Sequence, residues 1–542
     1  MDIIIRPNTK IGELDAESDA KFLSQCFIDN GMIETLCDVS ETQAIILGRT
    51  GAGKTATLMK IKDTIDEDKS KLIDLEQVFL NYIDNSNVIS FLKENNVSLD
   101  VFYKYLWKHI LTVEFLKLKY PNWSENNKLV DFIRELGNLL KKPQEKVAYK
   151  YLVDWSDKYW IETEENVKEM LSTLTQNIEA EFDGTIEVVN TKLKGSKELT
   201  KEQRTEYKER AQRAVNKMQI SDLAKVVDIL DEYVFDDGKV QYYLLIDKLD
   251  ENWTRIDIKY DLIKSLIEEI KSFRKIKNVK ILVSLRVDLY FKTLEKTRSA
   301  GFQEDKLQSI MYKLKWDEKA LKAIVDTRIS YLYKSKYTKD NVVFEDVFPP
   351  DNKKGNAWNY ILQRTFRRPR DILQFINYCL DLSTNKVNVD WGAIQDAEKA
   401  YSRERLRSLY EEWYEIFPAL ENLVFILSSI QKIDFTIETL TEFLSEELAI
   451  NLLIETTDKK SQDPIIKSLS ENLDNGSYNR NSFQNDIISC FYQTGLIGVS
   501  ENILDNFEWS FKDTSYKSEI ECSKVKRIKI HKMFHEAFHL KE

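Results

Sequence analysis

The chain has 542 residues, a formal net charge of -11, 42% hydrophobic and 31% charged residues. That is a globular rather than disordered balance, with room for about three or four domains. Its 15 Gly and 8 Pro, against roughly 38 and 27 at average usage, exclude a turn-rich all-β fold, a collagen-like chain and a Gly/Pro linker protein, and favour long helices. No run approaches the ~18 apolar residues of a membrane span. The opening MDIIIRPNTK lacks a basic-then-apolar leader, so a cytoplasmic protein is expected. Five scattered cysteines, Cys26, Cys37, Cys379, Cys490 and Cys522, form no CxxC pair and read as reduced, structural thiols. The acidic balance leaves room only for a local basic patch as a nucleic-acid contact.

In chain order, residues 10 to 40 read as helical, and the apolar run Gln43 to Leu47 reads as a strand. A Gly-rich turn and a helix, Ala56 to Asp66, follow. From Asp84 to Asp183 aromatics and leucines recur at helical spacing, before a β-like run at 185–189 and a charged helix, Thr200 to Lys217. Two fully apolar runs, Tyr242 to Ile246 and Ile281 to Leu285, fit strands buried on both faces of a parallel sheet, with a helix, Lys259 to Ile276, between them. Residues 303–382 and 400–447 return to helix. The last part predicts a helix (Gln484 to Thr494), strands at 496–500, 507–511 and 525–530, and a closing helix, His531 to Leu540.

Between the first strand and its helix lies Gly48-Arg49-Thr50-Gly51-Ala52-Gly53-Lys54-Thr55, followed by Ala56. It fits G-x-x-x-x-G-K-[ST], the phosphate loop. The glycines let the backbone turn its N–H groups inward around a phosphate. The helix behind adds its positive end, Lys54 reaches the β/γ-phosphates, and the Thr55 hydroxyl ligates Mg²⁺. Residues 48–56 are therefore the expected ATP-binding segment.

Such a site needs a carboxylate for the metal and a group to orient water. Asp247, closing the second strand, is assigned to the metal with Thr55. The position after it, where the base is usual, is Lys248, so Asp250 or Glu251 must act as the base; Asp250 is preferred for its D-x-x-D spacing. Ser284 or Arg286, at the end of the next strand, would face the γ-phosphate; the alternative is an ordinary strand-end ion pair between Arg286 and Asp288. Arg370, in Arg368-Pro369-Arg370-Asp371, opens a helix by its Pro and Asp start signals and would form a lid. Arg298 is a candidate trans-acting finger.

His535-Glu536-Ala537-Phe538-His539 matches H-E-x-x-H, with His531 one turn earlier. A catalytic zinc needs a third ligand and an open position; only three residues follow His539, and helix packing explains the pattern better. In the preceding strand, Lys524, Lys526, Arg527 and Lys529 interleave with apolar residues. This ladder could contact DNA phosphates without reading bases; Asn479, Arg480, Asn481 and Gln484 stand at the start of the neighbouring helix.

Together these motifs resemble the AAA+/STAND branch of P-loop ATPases. More narrowly, they resemble a bacterial P-loop ATPase family with LGRxGxGKT, IDxLDExW, LRxD, RPRD and a GLIGV…IHxMFH module. They are matched at Leu47 to Thr55, Ile246 to Trp253, Leu285 to Asp288, Arg368 to Asp371, and Gly495 to Val499 with Ile530 to His535. The resemblance implies an α/β fold: a P-loop parallel sheet with a large helical insertion, a helical lid and a C-terminal winged helix. The expected divisions are 1–83 with 236–300 for the ATPase core, 84–235 for the insertion, 301–399 for the lid, 400–455 for a helical linker and 456–542 for the winged helix. It implies ATP and Mg²⁺ as ligands, and hydrolysis coupled to conformational or assembly change acting on DNA or a protein partner. A homo-oligomer or a partner effector is expected, and a role in anti-phage defence is implied. The alternative is a slow nucleotide-gated switch with little turnover.

Overall fold

A computed structural model describes residues 4–76, 99–121, 142–155, 220–236, 238, 240–297, 305–336, 341–351, 355–459, 462–474, 478–502, 504–513 and 519–540. Contacts divide the chain into two units. One comprises Gly31–Gly48 and Lys54–Leu314; the other comprises Met1–Asn30, Arg49–Gly53 and Lys315–Glu542. No described helix is long and apolar enough to cross a membrane.

The first unit carries a parallel sheet of five strands: β1 (Ile45–Gly48), β2 (Ser70–Ile73), β3 (Tyr242–Ile246), β4 (Val279–Arg286) and β5 (Met311–Lys313), in the order β2-β3-β4-β1-β5. Every residue of β1 and β3 is buried, as continuous apolar strands in a covered parallel sheet must be. From its carboxyl end β1 leads toward β2 on one side, whereas β4 leads toward β5 on the other. The crevice between β1 and β4 is therefore a topological switch point, where open α/β sheets bind ligands. Register then decides which residues meet there. Gly48 pairs with Arg286. Ile246 pairs with Val283, so Asp247 comes level with Ser284.

Helix Asp100–Lys119 falls in the stretch expected to stand out from the sheet as an insertion. It packs along helix Ile256–Phe273, and the Trp107 indole donates to the Leu262 carbonyl at 2.8 Å. Phe115 stacks on Phe273 with centroids 6.1 Å apart. Tyr103, Leu106, Trp107, Leu111, Phe115 and Leu116 are fully buried. At about 1.5–3 kcal/mol for each large apolar side chain, that burial makes the helix part of the unit's core. Helices Pro143–Trp155 and Ile220–Ile229 are also described. The expected strand at 185–189 and helix at 200–217 lie outside the described residues.

The second unit has one continuous apolar core, with members from Ile5 to Leu540. It crosses the divisions expected at 399/400 and 455/456. Helices Glu318–Lys336, Ala357–Gln363, Pro369–Asp381, Trp391–Trp413 and Arg480–Thr494 surround it. They are joined by an antiparallel sheet, β6 (Asp434–Thr436), β7 (Ile497–Ser500) and β8 (Arg527–Ile530), in the order β6-β8-β7.

Three expectations are corrected here. The helical stretch read over 400–447 breaks first after Trp413 and again at Gln431, whose left-handed φ of 52° ends helix Phe425–Ile430 and frees β6 to pair with β8. The strand read at 507–511 is a single bridge, Glu508 to Val499, running into helix Ser510–Asp513. Its aromatics turn inward onto one cluster: Trp509 lies over Gly498, Phe511 packs on Phe366 with centroids 5.2 Å apart, and both rings meet His531. The closing helix is only a 3-10 turn, Lys532–Phe534, followed by turns. His539 has a φ of 55°, so the H-E-x-x-H spacing does not place its histidines on one helical face.

Candidate functional site

The carboxyl ends of β3 and β4 and the start of helix Lys54–Thr64 bring charged groups together in the first unit. Asp247 follows β3 directly and is buried. Its Oδ1 accepts hydrogen bonds from the Ser284 hydroxyl and, at 2.9 Å, from the Lys248 N–H. Lys248 takes a left-handed φ of 60°, a strain of order 1–3 kcal/mol for a non-glycine residue. The Glu251 N–H closes this turn onto the Lys248 carbonyl at 3.0 Å. The turn returns Asp250 toward β4, where its Oδ2 accepts from Arg286 Nη1 at 3.3 Å. Arg286 also grips Asp288, through Nε at 3.1 Å and Nη2 at 2.6 Å.

Lys54 shares this field. Loss of water around its ammonium pushes its pKa down from 10.5 to about 8. Asp250, Asp247 and Asp288 oppose that drop, and Arg286 adds to it. Desolvation pulls Asp250 upward, but Arg286 and Lys54 outweigh it and hold the carboxyl below its ordinary value. The arrangement sets a desolvated cation beside carboxylates, whose oxygens are hard donors. Thr55 is the second residue of the same helix.

Residues 49–53 are held within the second unit. Gly51 and Gly53 have φ of 74° and 98°. A Cβ on Gly51 would lie 2.8 Å from the Arg370 Cβ, so the turn requires glycine there both by φ and by space. The Arg370 N–H donates to the Gly51 carbonyl at 3.3 Å, and its Nε to the Leu14 carbonyl at 3.1 Å. Arg370 thus opens helix Pro369–Asp381 against the loop itself. Arg368 donates to the Thr50 carbonyl, and the Trp316 indole to the Ala52 carbonyl at 2.7 Å. Arg49 donates through Nη2 to the Gln493 carbonyl and to Ser510 Oγ, each at 2.8 Å.

Glu251 lies apart from the Asp250 pair: it is about half exposed and stands 3.6 Å from Lys248 Nζ. Arg298 lies outside the described residues. In the basic ladder, Lys524 and Lys526 are exposed. Arg527 makes a bidentate pair with Asp434, both contacts at 2.7 Å, which neutralises one of the four cations. Lys529 lies 5.5 Å from the centre of the Phe507 ring. Asn479 caps its helix by accepting from the Ser482 N–H at 3.1 Å, and Gln484 bonds Thr441 at 2.5 Å; Arg480 and Asn481 are exposed. His531 is buried among Phe366, Trp509, Phe511 and Phe534. Burial lowers its pKa to about 3, and it accepts from the Met533 N–H at 3.1 Å. His535 meets the Ile530 carbonyl at 3.1 Å.

Sequence reasoning did not single out Trp316, Gln493 or Ser510. No motif marks them, because their role follows from which surfaces come against the loop. The ion pair of Arg286 with Asp288, the expected alternative to a sensing role, is present at 2.6 Å.

A family model described as the FunZ-associated C-terminal helical domain matches residues 319–410. The chain is similar to the putative transposon gamma-delta 80.3 kDa protein of Escherichia coli K12, at 24% identity over 528 residues, covering 93% of this chain and 64% of that protein. The chain therefore spans less than two thirds of that relative. It is also similar to the allergen Alt a 2 of Alternaria alternata, at 26% identity over 156 residues, 28% of this chain and 80% of the allergen. No solved structure matches the chain.

Proposed function

We propose that this chain is a Mg²⁺-dependent nucleotide-binding protein of the P-loop type, and that ATP is its ligand. One observation carries the reading. A desolvated Lys54, directly behind the glycine turn, shares its field with Asp247, Asp250 and Arg286 at the carboxyl ends of parallel strands. In this reading the backbone of 48–53 binds phosphate and Lys54 neutralises its charge. Thr55 and Asp247 would hold the magnesium, with Ser284 and the Lys248 N–H fixing the carboxylate. Bound there, magnesium would supply charge neutralisation at the phosphates.

Asp250 is the group best placed to orient water, and Arg286 is the cation best placed to sense the terminal phosphate. Arg286 holds Asp250 in an ion pair, and the carboxyl is kept below its ordinary value. Engagement of the carboxylate by Arg286 leaves it less free to take a proton from water. This favours the switch-like alternative, in which binding matters more than turnover. The order β6, helices Ile437–Phe443, Glu446–Glu455 and Pro464–Asp474, helix Arg480–Thr494, then β7 antiparallel to β8 supports a winged-helix reading with added helices. Exposed Lys524 and Lys526 offer phosphate contacts, and a relative named for a transposon makes DNA a reasonable partner.

The test is nucleotide binding by calorimetry with steady-state phosphate release. Wild type binds Mg–ATP and turns over slowly, while Asp250→Asn binds with similar affinity and loses at least tenfold in rate. No ATP binding by wild type would end the reading. Loss of turnover in Glu251→Gln with Asp250→Asn unaffected would move the base to Glu251.

A further inference from the structure

A loop that binds phosphate with its N–H groups turns its carbonyls outward, and those carbonyls need donors. Here each donor comes from far along the chain. Thr50 is met by Arg368, Gly51 by the Arg370 N–H and Ala52 by Trp316. Arg368 is itself held in a buried set: its Nε bonds Asp371 at 2.9 Å, and its Nη2 approaches Glu412 at 3.4 Å. Arg405 completes the set, at 3.0 Å from Glu412 and 3.5 Å from Asp371. Two cations and two anions buried together add little stability, because desolvation offsets their attraction. They do fix the direction of the arm that reaches Thr50.

Arg49 makes the longest reach. Gln493 lies in the last turn of helix Arg480–Thr494, whose terminal carbonyls have no partners within the helix. A guanidinium there both donates to the carbonyl and complements the negative helix end. Gln493 leads through Gly495, at a left-handed φ of 87°, straight into β7. Ser510 is buried and follows Trp509, which lies over Gly498 of that strand. One side chain from the phosphate loop is thereby bonded to both chain segments that flank β7.

We propose that Arg49 is a positioning residue that ties the phosphate loop to the C-terminal module, so that nucleotide in the loop is read out at residues 490–513. The proposal rests on the nucleotide reading above and adds the output of that site. A change in loop shape when phosphate binds moves the Arg49 guanidinium, and its two acceptors move with it. The second position of the loop acts as a lever, with its side chain serving the module.

The test uses the full-length chain, hydrogen exchange by mass spectrometry, and a nonhydrolysable ATP analogue with Mg²⁺ at saturation, set for each variant by its own titration. In wild type the analogue changes exchange in 490–513 at least threefold. In Arg49→Ala that change disappears although analogue is bound. Ser510→Ala, which removes one acceptor and leaves Gln493, reduces the change about twofold and decides the matter if Arg49→Ala fails to fold. An analogue that binds wild type yet leaves 490–513 unaltered overturns the proposal, as does an undiminished change in both variants. A wild type that does not bind the analogue overturns the nucleotide reading, and this proposal with it.

Discussion

Replacing Lys54 with Met removes a cation that the fold keeps at a cost. The lysine pKa falls from 10.5 to about 8, and each unit corresponds to about 1.4 kcal/mol. Below pH 8 the charged lysine therefore destabilises the ligand-free protein by up to about 3 kcal/mol. Partial exposure of the side chain reduces the expected gain on substitution to about 1–2 kcal/mol. The sign follows from proton counting. Between pH 8 and 10.5 the unfolded chain binds more protons at this site than the folded one, so this group makes wild-type stability rise with pH. At pH 9.5 the cost has dropped to about half its neutral value. Lys54→Met lacks that dependence. In thermal unfolding without nucleotide the variant should melt several degrees above wild type at pH 7.5, and the gap should narrow at pH 9.5. Added Mg–ATP should stabilise wild type alone. A variant equal to or less stable than wild type at pH 7.5, or a gap that does not change with pH, would refute the picture of a desolvated cation at this position.

Other consequences can be measured alongside. Gly51→Ala forces a positive φ on alanine and drives its Cβ to 2.8 Å from that of Arg370; the cost should be about 1–3 kcal/mol, and a change under 0.5 kcal/mol in urea unfolding would contradict the loop geometry. Replacing Lys524, Lys526 and Lys529 with Ala should lower the log–log salt slope of DNA binding by up to about 3. Arg527→Ala, already engaged by Asp434, should leave that slope unchanged and cost about 1 kcal/mol of stability or less. A slope that responds to Arg527 and not to the lysines would reverse the assignment of the contact residues.

The glycine turn at 48–55, the two apolar strands and the acid at 247 were legible in the sequence, because each is a local pattern. Glycines at set intervals, a run buried on both faces and a charge at its end carry their meaning within ten residues. The short strands were not legible: β2, β5 and β6 have 4, 3 and 3 residues, too few for a period to show. Tertiary pairing alone makes them strands. The same holds for 507–511, where an alternating pattern gave way to Trp509 and Phe511 packing together on His531.

What sequence determined by itself was the chemistry available at the loop and at the strand ends. The tertiary structure decided its arrangement. Register set Ser284 beside Asp247 and Arg286 beside Gly48, a choice that depends on pairing between strands far apart in the chain. It also selected Asp250 over Glu251 as the partner of Arg286 through the left-handed turn at Lys248. Side-chain reach brought Arg49 to Gln493 and Ser510. No spacing rule could foresee that, because a hydrogen bond across more than four hundred residues is fixed only when the core closes.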